Sequence, residues 1–401
     1  MGMRSESYLW RLYLFKFFTG LHFFSGVLVP FFTQWGGLNF TQIMILQSWF
    51  MFWIFVFEIP TGSIADHFGR KFSLVMSCVI SIIAALTYAS VPNFYVFLLA
   101  EFLWALGATL FSGAYEALVY DTLKYLGKTK ESKKVFGRSA SFGLLGMMVS
   151  APAGSVIAGV LGLRAPMLLM SLPLSIALLI SLTFREPRVS RARHRGRGFA
   201  SEARKCARRL KEGVTFFCRN RVLRILAADM ISIRSVAYFM IWLYQPMLQQ
   251  AGVPIHYFGA VHAVFVLTQI AIMNHYEVLE RVLGSKKRLL SFSSLITGAM
   301  FILGGITTFI PLVLLAIFLG GGFGLSRKPL FVSYMNKYIP SSKRATVLST
   351  VAMLNSIILM LVNPVVGMLV DISLSNTLIL LGSAAILFSI ISRVEEHHLI
   401  D

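Results

Sequence analysis

Twelve stretches of about 20 mostly apolar residues, the length a helix needs to cross a hydrocarbon core, constrain this chain more than any other feature. They run over 12–32, 41–62, 72–91, 94–123, 139–161, 166–184, 225–249, 255–279, 289–309, 311–334, 345–370 and 376–392. Hydrophobic residues make up 56% of the 401 and charged residues 13%, against about 45–50% and about 25% in soluble domains. No water-soluble fold covers that much apolar surface, and no disordered chain carries it. Three cysteines rule out a disulfide scaffold. The first stretch is too long and too aromatic for a cleaved signal peptide, and no small-residue cleavage site follows it. The expectation is an all-α membrane protein with twelve transmembrane helices.

Lys and Arg orient it. With the N-terminus inside, the 4–5 connection carries six bases between Lys124 and Arg138 and the 6–7 connection fourteen between Arg185 and Arg224. Of the 37 Lys and Arg, only Arg164 falls on the outer side, a few lie within helices, and the rest are inside. Both termini are expected in the cytoplasm, in the inner membrane of a prokaryote. The long 6–7 connection divides the chain into a six-helix bundle over 1–185, a basic linker over 186–221 and a second bundle over 222–401. Within the linker Ala203, Cys206, Ala207, Leu210, Val214 and Phe217 recur at helical spacing among basic residues. That pattern predicts an amphipathic helix on anionic inner-leaflet lipids; positive-inside pressure explains the charge without nucleic acid. The halves also resemble one another: Gly69-Arg70-Lys71 is echoed by Gly284-Ser285-Lys286, and Ala151-Pro152 by Asn363-Pro364.

The 2–3 connection reads Gly62-Ser63-Ile64-Ala65-Asp66-His67-Phe68-Gly69-Arg70-Lys71. This resembles the G-x-x-x-D-x-x-G-R-K/R signature of the major facilitator superfamily, and the twelve stretches, long central connection and degenerate second copy extend the resemblance over nearly the whole chain. It implies two pseudo-repeated six-helix bundles and alternating access. It also implies a cytoplasmic gate formed by Gly62, Asp66, Gly69, Arg70 and Lys71, braced by Glu58. Glycines allow the tight turn, and Asp66 suits charge-assisted hydrogen bonds from Arg70 or a helix N-terminus; an ordinary basic turn is the competing reading. The segments 111–121 and 340–346 resemble those of a drug-exporter-like branch. Two exporter features differ: Glu101 stands where an Arg is usual in the fourth helix, and the Gly-Pro motif of the fifth is reduced to Ala151-Pro152-Ala153-Gly154.

Ionisable groups deep in spans are costly and face polar interiors. Lys16, His22, Glu101, Glu116, Asp229, Arg234, Arg327 and Lys328 all fall in the first, fourth, seventh and tenth stretches. Those helices line the central cavity in the superfamily resembled. His262, in the eighth, reads as a packing histidine, and Lys16 either snorkels or faces the cavity. Glu101, Ala105, Ala108, Ser112 and Glu116 share a helical stripe, its two carboxylates about 22 Å apart. The expected cavity residues are His22, Glu101, Ser112, Arg234 and Arg327. Glu116 is the expected proton site, with Glu101 and His22 as rivals.

No Walker loop, metal-ligand spacing or enzyme site is found, so neither cofactor nor metal is expected. The reading is a monomeric secondary active exporter of small amphipathic molecules working by proton antiport. The alternative is a proton-coupled importer or facilitator of an organic anion or zwitterion; a non-transporting receptor or lipid enzyme is the remote one.

Overall fold

A computed structural model describes residues 5–186, 212–340 and 343–399. Among the described residues, eleven helices are long and apolar enough to cross a membrane. A bent pair, Tyr8–Gly26 with Leu28–Trp35 at 63°, adds a twelfth if counted as one span. In chain order the bent pair is α1, followed by α2 (Phe40–Phe68), α3 (Arg70–Tyr88), α4 (Phe94–Tyr125), α5 (Ser132–Leu161) and α6 (Arg164–Leu182). Then come α7 (Arg221–Gln250), α8 (Ile255–Asn274), α9 (Lys286–Ile306), α10 (Ile310–Lys337), α11 (Arg344–Ile372) and α12 (Leu374–Ile391).

Side-chain caps start several of these helices where the sequence changes from apolar to polar. The side chains of Asn93, Asn220, Ser285 and Ser373 accept hydrogen bonds from first-turn amides of α4, α7, α9 and α12, satisfying donors that an N-terminus leaves open.

Three spans are interrupted where hydropathy reads them as continuous. In α1 the helix stops at Gly20 and resumes at Leu28 after a 3₁₀ turn over Phe23–Gly26. There the Ser25 hydroxyl donates to the His22 carbonyl at 2.8 Å, and Pro30 supplies no amide proton. α8 ends at Asn274, and a separate short helix covers Tyr276–Leu283. α10 passes through a π-helical stretch over Ala316–Gly321 and restarts at Lys328, beside Pro329. Consecutive Gly320, Gly321 and Gly322 hold a regular α-helix weakly, and such π turns mark departures from regularity.

The chain forms two compact units. Unit 1 comprises Met1–Leu38, Leu46–Cys206 and Ile255–Ala260. Its helices approach closely through small residues: a Cβ on Gly154 of α5 would lie 1.7 Å from the Phe23 carbonyl oxygen, so only glycine lets α5 reach α1 there. Ser73 and Ser77 of α3 donate to the carbonyls of Leu110 and Gly107 in α4 at 2.9 and 2.7 Å. Unit 2 comprises Asn39–Ile45, Ala207–Pro254 and Val261–Asp401. Gly298 of α9 and Gly382 of α12 pack against each other's carbonyl. The Asp371 carboxylate at the end of α11 accepts from the amides of Phe40 and Thr41 at 2.7 and 2.8 Å, capping the first turn of α2. Of the expected amphipathic linker helix, Ala203, Cys206, Ala207 and Leu210 lie outside the described residues, while Phe217 is buried in the core of unit 2.

Candidate functional site

Unit 1 contains a cavity of about 510 Å³ lined by α1, α3, α4, α5 and α6, within the usual size range of small-molecule sites. Lys16 and His22, which the sequence singles out, both line it. The Lys16 stem lies against Gly143 of α5, where a larger side chain would displace it. Its ammonium sits over the rings of Phe111 and Tyr115, at 4.6 and 5.5 Å from their centroids; these rings stack with an interplanar angle of 7°. His22 follows the break in α1, with Nε2 3.1 Å from the Thr19 carbonyl and its ring stacked on Phe24 and edge-on to Trp104. Trp104, Met147 and Met170 supply apolar wall. Among the described lining residues there is no carboxylate. The cavity therefore offers a cation, an imidazole and flat apolar surface to one occupant.

The two glutamates of α4 part company. Glu101 is buried, accepts from Gln47 Nε2 at 3.0 Å and has the Tyr88 hydroxyl beside it. It does not line the cavity. Glu116 and Ser112 are exposed. At 3.6 residues per turn, fifteen residues overshoot four turns by about 60°, so the stripe winds from the interior of unit 1 to its surface. The Glu116 charge acts on Lys16 without forming an ion pair.

At the 2–3 connection Gly69 has φ of 102°, a conformation other residues adopt only with strain. A Cβ there would also meet the Glu186 carboxylate at 2.6 Å. Glu186, just past α6, accepts from the Lys71 amide at 2.6 Å, a carboxylate at a helix N-terminus; Lys71 Nζ donates to the Leu182 carbonyl at 2.5 Å. Arg70 forms an ion pair with Asp121 near the end of α4 and donates to the Ala117 carbonyl at 2.9 Å. Gly62 and Glu58 are exposed, and the backbone of Asp66 lies in the last turn of α2.

In unit 2 two of the interior charges, Arg327 and Asp229, are engaged with each other. Arg327 is fully buried and pairs with Asp229. It also donates to the Leu290 carbonyl and Ser293 hydroxyl, each at 2.8 Å, and to Ser294. The second Asp229 oxygen accepts from Ser392 of the α12 end. Arg234 is half-buried, and its charge acts on Lys328. His262 is buried with Nδ1 3.2 Å from the Tyr244 hydroxyl, which itself accepts from Gln245.

Residues 12–275 match the family profile described as Major Facilitator Superfamily. The chain belongs to the major facilitator superfamily. A relative from Bacillus subtilis (strain 168), the uncharacterized MFS-type transporter YxaM, is 26% identical over 316 residues, covering 78% of this chain and 76% of that one. Among solved structures, a mutant of the nucleoside transporter NupG superposes with a TM-score of 0.79 at 13% identity, over 96% of this chain and 98% of the other. A POT family transporter in complex with 5-aminolevulinic acid gives 0.73 at 16% identity, over 98% and 96%. These structural likenesses carry the superfamily fold, and membership makes the protein a multi-pass membrane transporter.

Three contributors escape sequence reasoning. Asp121 lies far along the chain from its partner Arg70, and only the acid at the end of α4 hinted at it. Glu186 sits four residues past the end of α6, the one carboxylate in a short exit segment. Gln47, which holds Glu101, is one of a few polar residues in the apolar stretch of α2, next to Ser48.

Proposed function

We propose that this superfamily member is a secondary active exporter of small amphipathic molecules bearing an anionic group, and that it works by alternating access with proton antiport. The observation carrying the substrate class is the unit 1 cavity, where Lys16 and His22 face aromatic walls with no lining carboxylate among the described residues. An anionic head pairs with Lys16 through a charge-assisted hydrogen bond, and a flat apolar body lies along Trp104 and Phe111. Outward direction rests on the drug-exporter-like segments at 111–121 and 340–346. The second reading, proton-coupled import of an organic anion, is favoured by the same cationic cavity. Glu116, exposed and with its charge acting on Lys16, carries the exchanged proton in this scheme.

The repeated architecture and cytoplasmic termini belong to this proposal. Support comes from a matching pair of contacts: Glu186 caps the first turn of α3, and Glu396, beyond α12, accepts from the amides of Lys286 and Lys287 in α9 at 3.0 and 2.8 Å. We place the two bundles at 1–185 and 222–401, the basic linker at 186–221 and the protein in a prokaryotic inner membrane. The 2–3 connection acts as the cytoplasmic gate.

The substrate assignment is tested in proteoliposomes by comparing aromatic carboxylates with their primary amides as competitors of transport. Lys16→Gln is expected to raise the apparent KM for a carboxylate about tenfold or more, the loss of a charged hydrogen bond, and to leave an amide nearly unchanged. Equal effects on both would remove the anion from the proposal.

A further inference from the structure

A second cavity, about 380 Å³, opens in unit 2 between the first three turns of α7 and the end of α12. Arg221 and Arg224 enter it from α7 and Arg393 from the residue pair after α12. None of the three has an ion-pair partner among the described residues, and all are exposed. The one carboxylate in the lining, Asp229, is already held by Arg327 and Ser392, so the arginine charge is not answered from within. The first turn of α7 adds the positive end of a helix dipole. The remaining wall combines apolar Ile225, Ala228, Phe388 and Ile391 with Ser232 and Ser392. Along α12 it continues into Leu387, Ile390 and Ile391, which are 55, 72 and 59% exposed on a helix apolar enough to cross a membrane.

Positive-inside pressure accounts for basic residues at a membrane face, but not for three arginines around one cavity whose far wall is continuous with a hydrocarbon-facing surface. We propose that this cavity binds the phosphodiester headgroup of an anionic glycerophospholipid, with an acyl chain lying along Leu387, Ile390 and Ile391. Guanidinium groups suit the phosphate, which they bind bidentately. The apolar groove selects a lipid over a free phosphate, which has nothing to place there. Bridging Arg221 and Arg224 to Arg393 ties the start of α7 to the end of α12, alongside the Asp229–Ser392 contact. The site is independent of what the protein transports.

The test uses purified full-length protein in dodecyl maltoside with added palmitoyl-oleoyl phosphatidylglycerol, phosphatidylcholine with the same chains, or glycerol 3-phosphate alone. Phosphatidylglycerol is expected to raise Tm by about 2–4 °C, the other two to leave it unchanged, and the triple variant R221Q/R224Q/R393Q to lose the shift. An undiminished shift in the triple variant overturns the proposal, and so does glycerol 3-phosphate reproducing the lipid's effect, because the ligand would then be a free anion. Should the variant not fold, wild-type protein is photolabelled with a phosphatidylglycerol carrying a diazirine in its acyl chain. Adducts within 221–232 or 384–393 are expected; adducts only elsewhere overturn the site.

Discussion

Arg327 has a carboxylate, a carbonyl and two hydroxyls around it, whereas Lys16 has aromatic faces and open volume. The difference sets what each mutation does. Arg327→Ala leaves Asp229 buried without its cation, a loss of about 3–5 kcal/mol where buried pairs are broken from one side. The expected result is a large drop in Tm and in the yield of folded protein, while Asp229→Leu combined with Arg327→Met recovers much of the stability. An Arg327→Ala protein that unfolds like wild type would show that the pair contributes nothing. At Glu116 the expectation concerns coupling: Glu116→Gln abolishes proton-driven accumulation and preserves substrate counterflow, which needs no net protonation change. Retention of a pH-dependent gradient by that variant would move the coupling role to Glu101. Hydropathy flags Lys16, Glu101, Glu116 and Arg327 alike, because each is a charge in an apolar stretch. It carries no information on which way a side chain points or what lies across from it. Glu101 turns inward to Gln47 and Tyr88, and Arg327 to Asp229; those partners sit on other helices.

At the scale of elements, helix ends are held by carboxylates that arrive from elsewhere in the chain. Arg70 and Asp121 join the start of α3 to the end of α4. Asp121→Asn is expected to impair transport with little loss of folded protein, since the pair is partly solvated and such pairs contribute about 0–1 kcal/mol to stability. Unchanged transport in this variant and in Arg70→Ala would remove the pair from the gate. The segment after α12 is docked by the Glu396 cap, by Lys286 Nζ on the Leu399 carbonyl at 3.0 Å and by burial of Val394 and Leu399. His398 takes part through Nδ1, which accepts from the Glu395 amide at 3.1 Å and so requires the neutral ring. Burial lowers the His398 pKa below its ordinary 6.5, with His397 and Arg221 acting in the same direction. A depressed histidine pKa means the unfolded chain binds the proton more readily. Its contribution to docking is therefore full above about pH 6.5 and is lost as pH falls through the lowered value. Hydrogen exchange at 394–399 is expected to be slow at pH 7.5 and, after correction for intrinsic rates, faster at pH 5; equal protection at both would contradict this. The spans themselves are legible because twenty apolar residues have few other fates. The break after Gly20 and the π turn at Ala316–Gly321 are not, since Gly, Ser and Pro spaced through an apolar run leave its hydropathy nearly unchanged.

For the whole molecule, the proposal of proton-coupled movement of an amphipathic anion rests on superfamily membership, on a cationic aromatic cavity in unit 1 and on an exposed glutamate whose charge acts on the cavity lysine. The most direct measurement is the substrate-dependent proton flux of the purified protein in proteoliposomes carrying a pH-sensitive dye, with aromatic carboxylates added on one side. The account expects proton movement opposite to the substrate, abolished by Glu116→Gln. Proton movement in the same direction as the substrate would make the protein an importer, and no proton movement with any transported carboxylate would contradict proton coupling altogether.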